Sequence, residues 1–272
     1  MFVGLDQHPR TALADPDPRT RPFHDLLARV PDPPGRPARI ADLGCGTGNV
    51  TSLLAGRWPD AHITGFDNSG ESLNEAEKLA GETSEGGRLE FRHADIGRWV
   101  PADPFDLIIS SAAIQWVPDH LSLFGTWTRT LTGGGIFAFQ VPDNAAALSH
   151  AVLRELCASS RWHDRLAPGV LPSPEVCDVQ EYLDRLAGLG FTVDAWESTY
   201  AHVLPADDPF GGWVGGTGMR PVLNALADEP GAADEFLADY RARLRGVYPA
   251  APYGTVFPFR RIFAVARRNA PA

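Results

Sequence analysis

The chain has 272 residues, 44% of them hydrophobic, which suffices for one sizeable α/β core with room for an insertion. It holds no apolar run of about 18 residues, so no membrane-spanning helix is expected. The formal net charge is −10 and there is no basic run, which argues against a nucleic-acid partner. Nearly all the positive charge is arginine, with Lys78 the only lysine, and arginine is the side chain that grips carboxylates through paired hydrogen bonds. Cys45, Cys157 and Cys177 lack metal-ligand spacing, so no metal is expected and a reducing cytoplasm is the expected compartment. Residues 1–17 are polar and proline-rich without a basic-then-apolar pattern, so no signal peptide is expected.

In chain order, residues 22–30 read as a short helix, closed by the breaker Pro31-Asp32-Pro33-Pro34-Gly35. Strand-length apolar runs then alternate with helical patterns. Strands are expected at 39–43, 62–67, 89–93, 107–111 and 136–141, and helices at 49–57, 71–80 and 121–131. This alternation marks a mostly parallel sheet covered by helices on both faces. Beyond Pro142 the rhythm changes: helices are expected at 146–160 and 179–189, a proline-rich link at 168–174 and a strand at 191–200. Residues 205–249 read as mainly helical, and 255–267 as a last strand returning to the sheet edge. The expected division is an N-terminal lid and helix (1–35), a core (36–142, 181–202 and 253–268) and a helical cap (143–180 and 203–252) at the carboxyl ends of the strands, where open α/β sheets bind ligands.

The first strand runs into Asp42-Leu43-Gly44-Cys45-Gly46-Thr47-Gly48-Asn49. Glycines at alternate positions let the backbone turn sharply and approach a ligand, and the following helix offers free N–H groups to an anionic group. The spacing is G-x-G-x-G rather than the G-x-G-x-x-G of a pyrophosphate turn. Asp67 ends the second strand, about 19 residues beyond Gly48, where a carboxylate can accept hydrogen bonds from ribose hydroxyls; Asn68 and Ser69 follow it beside the expected adenosine. Asp95 and Ile96 end the third strand, with a helix N-cap as the bland role for Asp95. After the fourth strand come Ser111, Gln115, a candidate to orient an acceptor carboxylate, and Trp116, a candidate wall that excludes water or else plain core.

The glycine loop resembles the first motif of S-adenosylmethionine-dependent methyltransferases. The resemblance implies a Rossmann-like class I methyltransferase fold plus a mainly helical cap, with S-adenosylmethionine as cofactor and S-adenosylhomocysteine as its spent form. It places the methionine carboxylate at the loop and the adenine amino group at Asp95, and counts Asp42, Gly44, Gly46, Gly48, Ile96 and Ser111 with the cofactor residues. Five further runs, A-I-Q-W-V-P-D-H (113–120), Q-V-P-D-N (140–144), W-E-S-T-Y-A-H (196–202), T-G-M-R-P (217–221) and F-P-F-R-R-I-F (257–263), resemble the trans-aconitate 2-methyltransferase family over residues 19–267. That resemblance implies esterification of one carboxylate of a small tricarboxylic acid. Arg220 and Arg261, with the adjacent Arg260, become candidates to clamp the remaining carboxylates, and Tyr200, His202 and Trp213 candidates to line the pocket. One departure stands out: where the family carries Trp-x-Pro-x-x-Tyr near its N-terminus, this chain reads Gln7-His8-Pro9-Arg10-Thr11-Ala12.

An ionised carboxylate acceptor needs no general base, and no His–Asp or lysine constellation is poised as one. The expected partner is a small anionic acceptor. The alternatives are a malonyl group on a carrier protein, which would call for a basic docking face, a natural-product acceptor, or a scaffold that binds cofactor without turnover.

Overall fold

The computed structural model describes residues 20–171, 175–205 and 219–269, and of Arg220 the backbone alone. Trp213 and the departing run 7–12 lie outside the described residues. Helix α1 (Arg21–Arg29) leads into β1 (Arg39–Leu43), α2 (Thr51–Arg57), β2 (His62–Asp67), α3 (Gly70–Ala76) and the two-residue β3 (Gly81–Glu82). Then follow β4 (Arg88–His93), β5 (Phe105–Ser111), α4 (His120–Thr128), β6 (Leu131–Pro142), α5 (Leu148–Cys157), α6 (Val179–Gly188) and β7 (Phe191–Leu204). Helices α7 (Arg220–Ala225) and α8 (Ala232–Val247), a two-residue β8 (Ala250–Ala251) and β9 (Gly254–Arg268) complete the described chain. None of the described helices is long and apolar enough to cross a membrane.

The sheet order is β3-β4-β2-β1-β5-β6-β9-β7, with β8 paired to β9. From β4 to β6 every pairing is parallel; β9 runs antiparallel to both β6 and β7. This is a Rossmann-like class I fold. Successive strands step outward from β1 in one direction and then restart at β5 in the other, which opens a crevice at the carboxyl ends of β1 and β5.

Two expectations are corrected here. Residues 255–267 do not form the sheet edge: β9 is inserted between β6 and β7, and β7 is the edge. The reason is burial. Ile262, Phe263, Ala264, Val265 and Ala266 form an unbroken buried run, as a strand covered on both faces must, whereas β7 is mostly exposed or partly buried, with only Phe191, Tyr200 and Leu204 buried. The fourth helix also ends sooner than its apolar pattern suggests, at Thr128, and Leu131 already belongs to β6.

Helices cover both faces. One core layer joins α1 (Phe23, Leu26, Leu27) and α2 (Leu54) to Ile40, Ile109, Ala138 and Phe263. The opposite layer joins Phe124 and Trp127 of α4 and Tyr182 and Leu186 of α6 to Ile108, Phe137, Phe139 and Ile262. A third, separate cluster packs α5, α7 and α8 through Leu156, Trp162, Val222, Phe236 and Leu244, together with Leu204 and Phe257 at the far ends of β7 and β9.

Candidate active site

The turn after β1 is built by its glycines. Gly44, Gly46 and Gly48 have φ of 78°, 54° and 77°, the left-handed region that side chains avoid. At Gly44 a Cβ would also stand 2.1 Å from the Cβ of Ala113, and at Gly48 2.7 Å from the Phe91 ring, so both positions are packed shut. At Gly46 a Cβ would meet nothing within 4 Å, and there the backbone is open to approach.

The acids around this turn have distinct partners. The Asp67 carboxylate accepts the Gly46 N–H and the Ser69 N–H, each at 2.8 Å, and so ties the turns after β1 and β2 together. Ser69 in turn caps α3, its hydroxyl accepting from the Ser72 N–H at 3.2 Å. The Asn68 carbonyl lies 3.1 Å from His93 Nε2. Asp42 is 1% exposed; its Oδ2 accepts the Thr51 hydroxyl at 2.7 Å, while its Oδ1 is buried without a hydrogen-bond partner. Burial pushes the Asp42 carboxyl up to about 7; the Thr51 hydrogen bond opposes this and the Asp67 charge adds to it. Asp95 accepts the Gly97 N–H at 2.9 Å, and the Ile96 carbonyl accepts from the Trp127 indole at 3.0 Å. Asp95 lies two residues beyond the end of β4 and closes a turn rather than capping a helix, since no helix begins at Ile96, and its second oxygen stands beside Arg98.

At the end of β5 the chain kinks. Ala112 has φ 56°, uncommon for a residue with a Cβ, and is held at both sides: its N–H donates to the Gln140 carbonyl at 2.9 Å, and its carbonyl accepts from Gln115 Nε2 at 2.7 Å. The Gln115 amide nitrogen is therefore turned to the backbone, and its buried Oε1, an acceptor, is the atom left without a partner. Trp116 is 44% exposed, so it is not core; it stands beside the turn as an open aromatic surface.

The adjacent arginines of β9 face opposite ways, as neighbours on a strand must. Arg260 bonds both Asp143 and Glu197, and its guanidinium is occupied by these two carboxylates. Arg261 points to the α1 face. Its Nη1 donates to Gln140 Oε1 at 2.8 Å, its Nε is buried without a partner, and no carboxylate among the described residues lies within ion-pair distance. Burial pulls its guanidinium down to about 10. The structure therefore does not bring Arg260 and Arg261 together as one clamp. Tyr200, on the same face as Arg261, donates its hydroxyl to Asp25 of α1 at 2.6 Å, and the His202 ring lies 6.4 Å from the Tyr200 ring. Arg220 opens α7, in the third cluster.

Three contacts had no sequence reading behind them: Thr51 on Asp42, Asp25 on Tyr200, and Gln140 between Arg261 and Ser111. Gln140 carried the clearest signal, an amide interrupting the apolar run of β6. Among the described residues no group of three or more His, Cys, Asp or Glu is placed to hold a metal ion.

A family described as a methyltransferase domain matches residues 36–188. The chain is 54% identical over 264 residues to a trans-aconitate 2-methyltransferase of Streptomyces avermitilis, covering 96% of this chain and 97% of that one. It is 54% identical over 250 residues to the enzyme of the same name from Streptomyces coelicolor, covering 92% and 82%. A third of that name, from Mycolicibacterium gilvum, is 40% identical over 96% of this chain and 98% of its own. Among solved structures, the YcgJ protein from Bacillus subtilis superposes with a TM-score of 0.56 at 16% identity, over 92% of this chain and all (100%) of that one. The cyclase SpnF gives 0.54 at 20% identity, over 92% and 81%. Those two share the fold alone, and the second carries a different printed activity, so the fold does not fix the reaction. The sequence relatives do what the fold cannot, and the chain belongs to the trans-aconitate 2-methyltransferase family.

Proposed function

We propose that this methyltransferase esterifies one carboxylate of a small polycarboxylic acid, trans-aconitate first among them, with S-adenosylmethionine as methyl donor. The names of its relatives support the acceptor. The observation that carries the reading is Arg261, a desolvated guanidinium with no carboxylate partner among the described residues, while its neighbour Arg260 has two. A buried cation without a counter-charge is costly, and an anionic ligand that brings the missing charge and paired hydrogen bonds offsets that cost.

The residues around the glycine turn fit the donor. The unpartnered Oδ1 of Asp42 is suited to an ammonium, and the open backbone at Gly46 leaves room for close approach. Asp42 would hold the amino group of the methionyl tail and Asp67 with Asn68 and Ser69 the ribose, with Asp95 and Ile96 at the adenine. The turn 44–48, whose Gly44, Cys45, Gly46 and Gly48 N–H groups already donate to Phe66, Asp67 and Cys45, would border the methionyl carboxylate. When bound, the donor supplies an activated methyl on a sulfonium whose leaving group is a neutral thioether. The chain's own work is then alignment. Arg261 fixes a carboxylate of the acid that is not methylated, the turn from Ser111 to Trp116 borders the reacting groups, and the exposed Trp116 ring is available to exclude water. The reacting carboxylate is already ionised at neutral pH, so no residue has to remove a proton. Orientation of this kind can lower a barrier by about 7–11 kcal/mol.

The test is transfer of a tritiated methyl group to a panel of di- and tricarboxylates. An ester product with trans-aconitate is expected. Tight uptake of S-adenosylhomocysteine with no labelled acid across the panel would overturn the acceptor and favour a natural-product substrate.

A further inference from the structure

Gln140 sits on β6 opposite Ser111 of β5, two residues before Pro142, which pairs with Arg261 of β9. Its side chain reaches both neighbours. Oε1 accepts from Arg261 Nη1 at 2.8 Å, and Nε2 donates to Ser111 Oγ at 2.8 Å. The residue is 2% exposed and lies between Phe139 and Val141, both fully buried, so an amide here is tolerable only because it is hydrogen-bonded at both ends.

The chemistry at this position is restrictive. A carboxylate would pair with Arg261 and cancel the charge an acid has to find. An aliphatic group would leave Arg261 and Ser111 unconnected. Among uncharged side chains of this length, glutamine presents an acceptor and a donor in one plane. It therefore orients the guanidinium without neutralising it, and the remaining donors of Arg261, the unpartnered Nε among them, keep a fixed direction. Ser111 ends the strand whose turn carries Ala112 and Gln115, and β5 and β9 are two strand spacings apart, about 10 Å.

We propose that Gln140 is a positioning and specificity residue: it locks Arg261 in register with the end of β5, so that an acid held by the guanidinium is presented to the methyl-transfer edge, and by remaining neutral it reserves the Arg261 charge for that acid. This rests on the reading of Arg261 as a carboxylate anchor.

The experiment compares the full chain with Gln140→Glu, Gln140→Met and Arg261→Met. KM and kcat for trans-aconitate are measured beside Tm and the Kd for S-adenosylhomocysteine. With Gln140→Glu the KM for the acid is expected to rise by at least about tenfold, because the new carboxylate competes for Arg261, while the S-adenosylhomocysteine Kd stays within about twofold. Gln140→Met keeps the volume and loses both hydrogen bonds, and is expected to raise KM less, since Arg261 stays charged but unfixed. Unchanged KM in both Gln140 variants, with KM raised in Arg261→Met, would overturn the role of Gln140 and leave the anchor standing. Unchanged KM in Arg261→Met would overturn the anchor and this inference with it. A purely structural role would shift KM, Tm and S-adenosylhomocysteine Kd together in both Gln140 variants, and would also count against it. If Gln140→Glu does not fold, Gln140→Met decides alone.

Discussion

The backbone N–H of Gly46 and the carboxylate of Asp67 meet at 2.8 Å, so the acid that ends the second strand also fixes the glycine turn that follows the first. Its other oxygen accepts the Ser69 N–H at 2.8 Å and so sets the entry to α3. Each carboxylate oxygen can accept more than one hydrogen bond, which leaves capacity for ribose hydroxyls. Under the proposed placement of the cofactor, the side chain that shapes the turn would also bind the sugar.

Asp67→Ala is therefore expected to weaken binding of S-adenosylhomocysteine by about 1.5–3 kcal/mol, the cost of losing hydrogen bonds to a charged group. Asp67→Asn should recover only part of this, because its NH2 would face one of the two backbone N–H donors. Calorimetry on the two variants checks it; affinities equal to the parent in both would take Asp67 out of the cofactor site.

Asp42 predicts a pH dependence. Burial raises its folded pKa to about 7 from 3.8, so between those values the folded chain holds a proton that the unfolded chain has released. Its contribution to stability therefore falls as pH rises from 3.8 to about 7. An ammonium needs the ionised form, so affinity for S-adenosylhomocysteine should run the other way, about tenfold weaker at pH 6 than at pH 8 with a plateau above. Calorimetry in buffers of different ionisation enthalpy should detect proton release at the lower pH. The uncharged Asp42→Asn variant should bind weakly with a flat profile, and a steep profile in that variant would assign the titration to another group.

The parallel half of this molecule was legible because its signals are local. Residues 39–43 and 62–67, read from apolar runs that stop at Gly44 and Asn68, coincide with β1 and β2. The placement of β9 was not, because a strand's neighbours are chosen by long-range pairing. The unbroken apolar run Ile262–Ala266 was nonetheless a clue, and the structure buries all five residues, as a strand covered on both faces requires.

The same contrast holds at the site. The glycine turn and Asp67 could be found from spacing alone. The two arginines of β9 could not be sorted that way: strand alternation implies that only one of a neighbouring pair faces a given side, but which one is free depends on Asp143, just beyond β6, and on Glu197 of β7. Gln140 shows a polar residue in an apolar strand gaining its meaning only from the side chains across from it.

Tyr200 and Asp25 join the N-terminal helix to the edge of the sheet. The hydroxyl donates to the carboxylate at 2.6 Å, and Arg29 of the same helix lies over the Trp196 ring at 4.2 Å. Since Asp25 is exposed, Tyr200→Phe is expected to cost about 1 kcal/mol rather than the larger value of a buried charged pair. Affinity for S-adenosylhomocysteine should be unchanged, because the hydroxyl–carboxylate contact joins α1 to β7, and α1 packs on β6 and β9. Thermal unfolding with calorimetry tests both halves, and a loss of cofactor affinity would show that the helix reaches further into the site than this contact implies.

Arg261→Met separates function from stability. The folded pKa, about 10, lies below the ordinary 12.5, so between those values the unfolded chain holds more protons and stability rises with pH. Below about 10 the desolvated charge is fully present and opposes folding. Methionine removes that charge but also leaves Gln140 Oε1 without its donor, two effects of opposite sign, so stability should change by only about 1 kcal/mol in either direction. The KM for trans-aconitate should nevertheless rise by at least about tenfold, with cofactor affinity intact, because a buried charge-assisted contact to the acid is lost. In the parent chain, acid binding should fade as pH passes about 10, and in the variant that dependence should disappear. A large drop in Tm with KM unchanged would instead make Arg261 a packing residue. The half-buried Arg261, its Nε wholly buried, would then need another explanation for having no carboxylate beside it among the described residues.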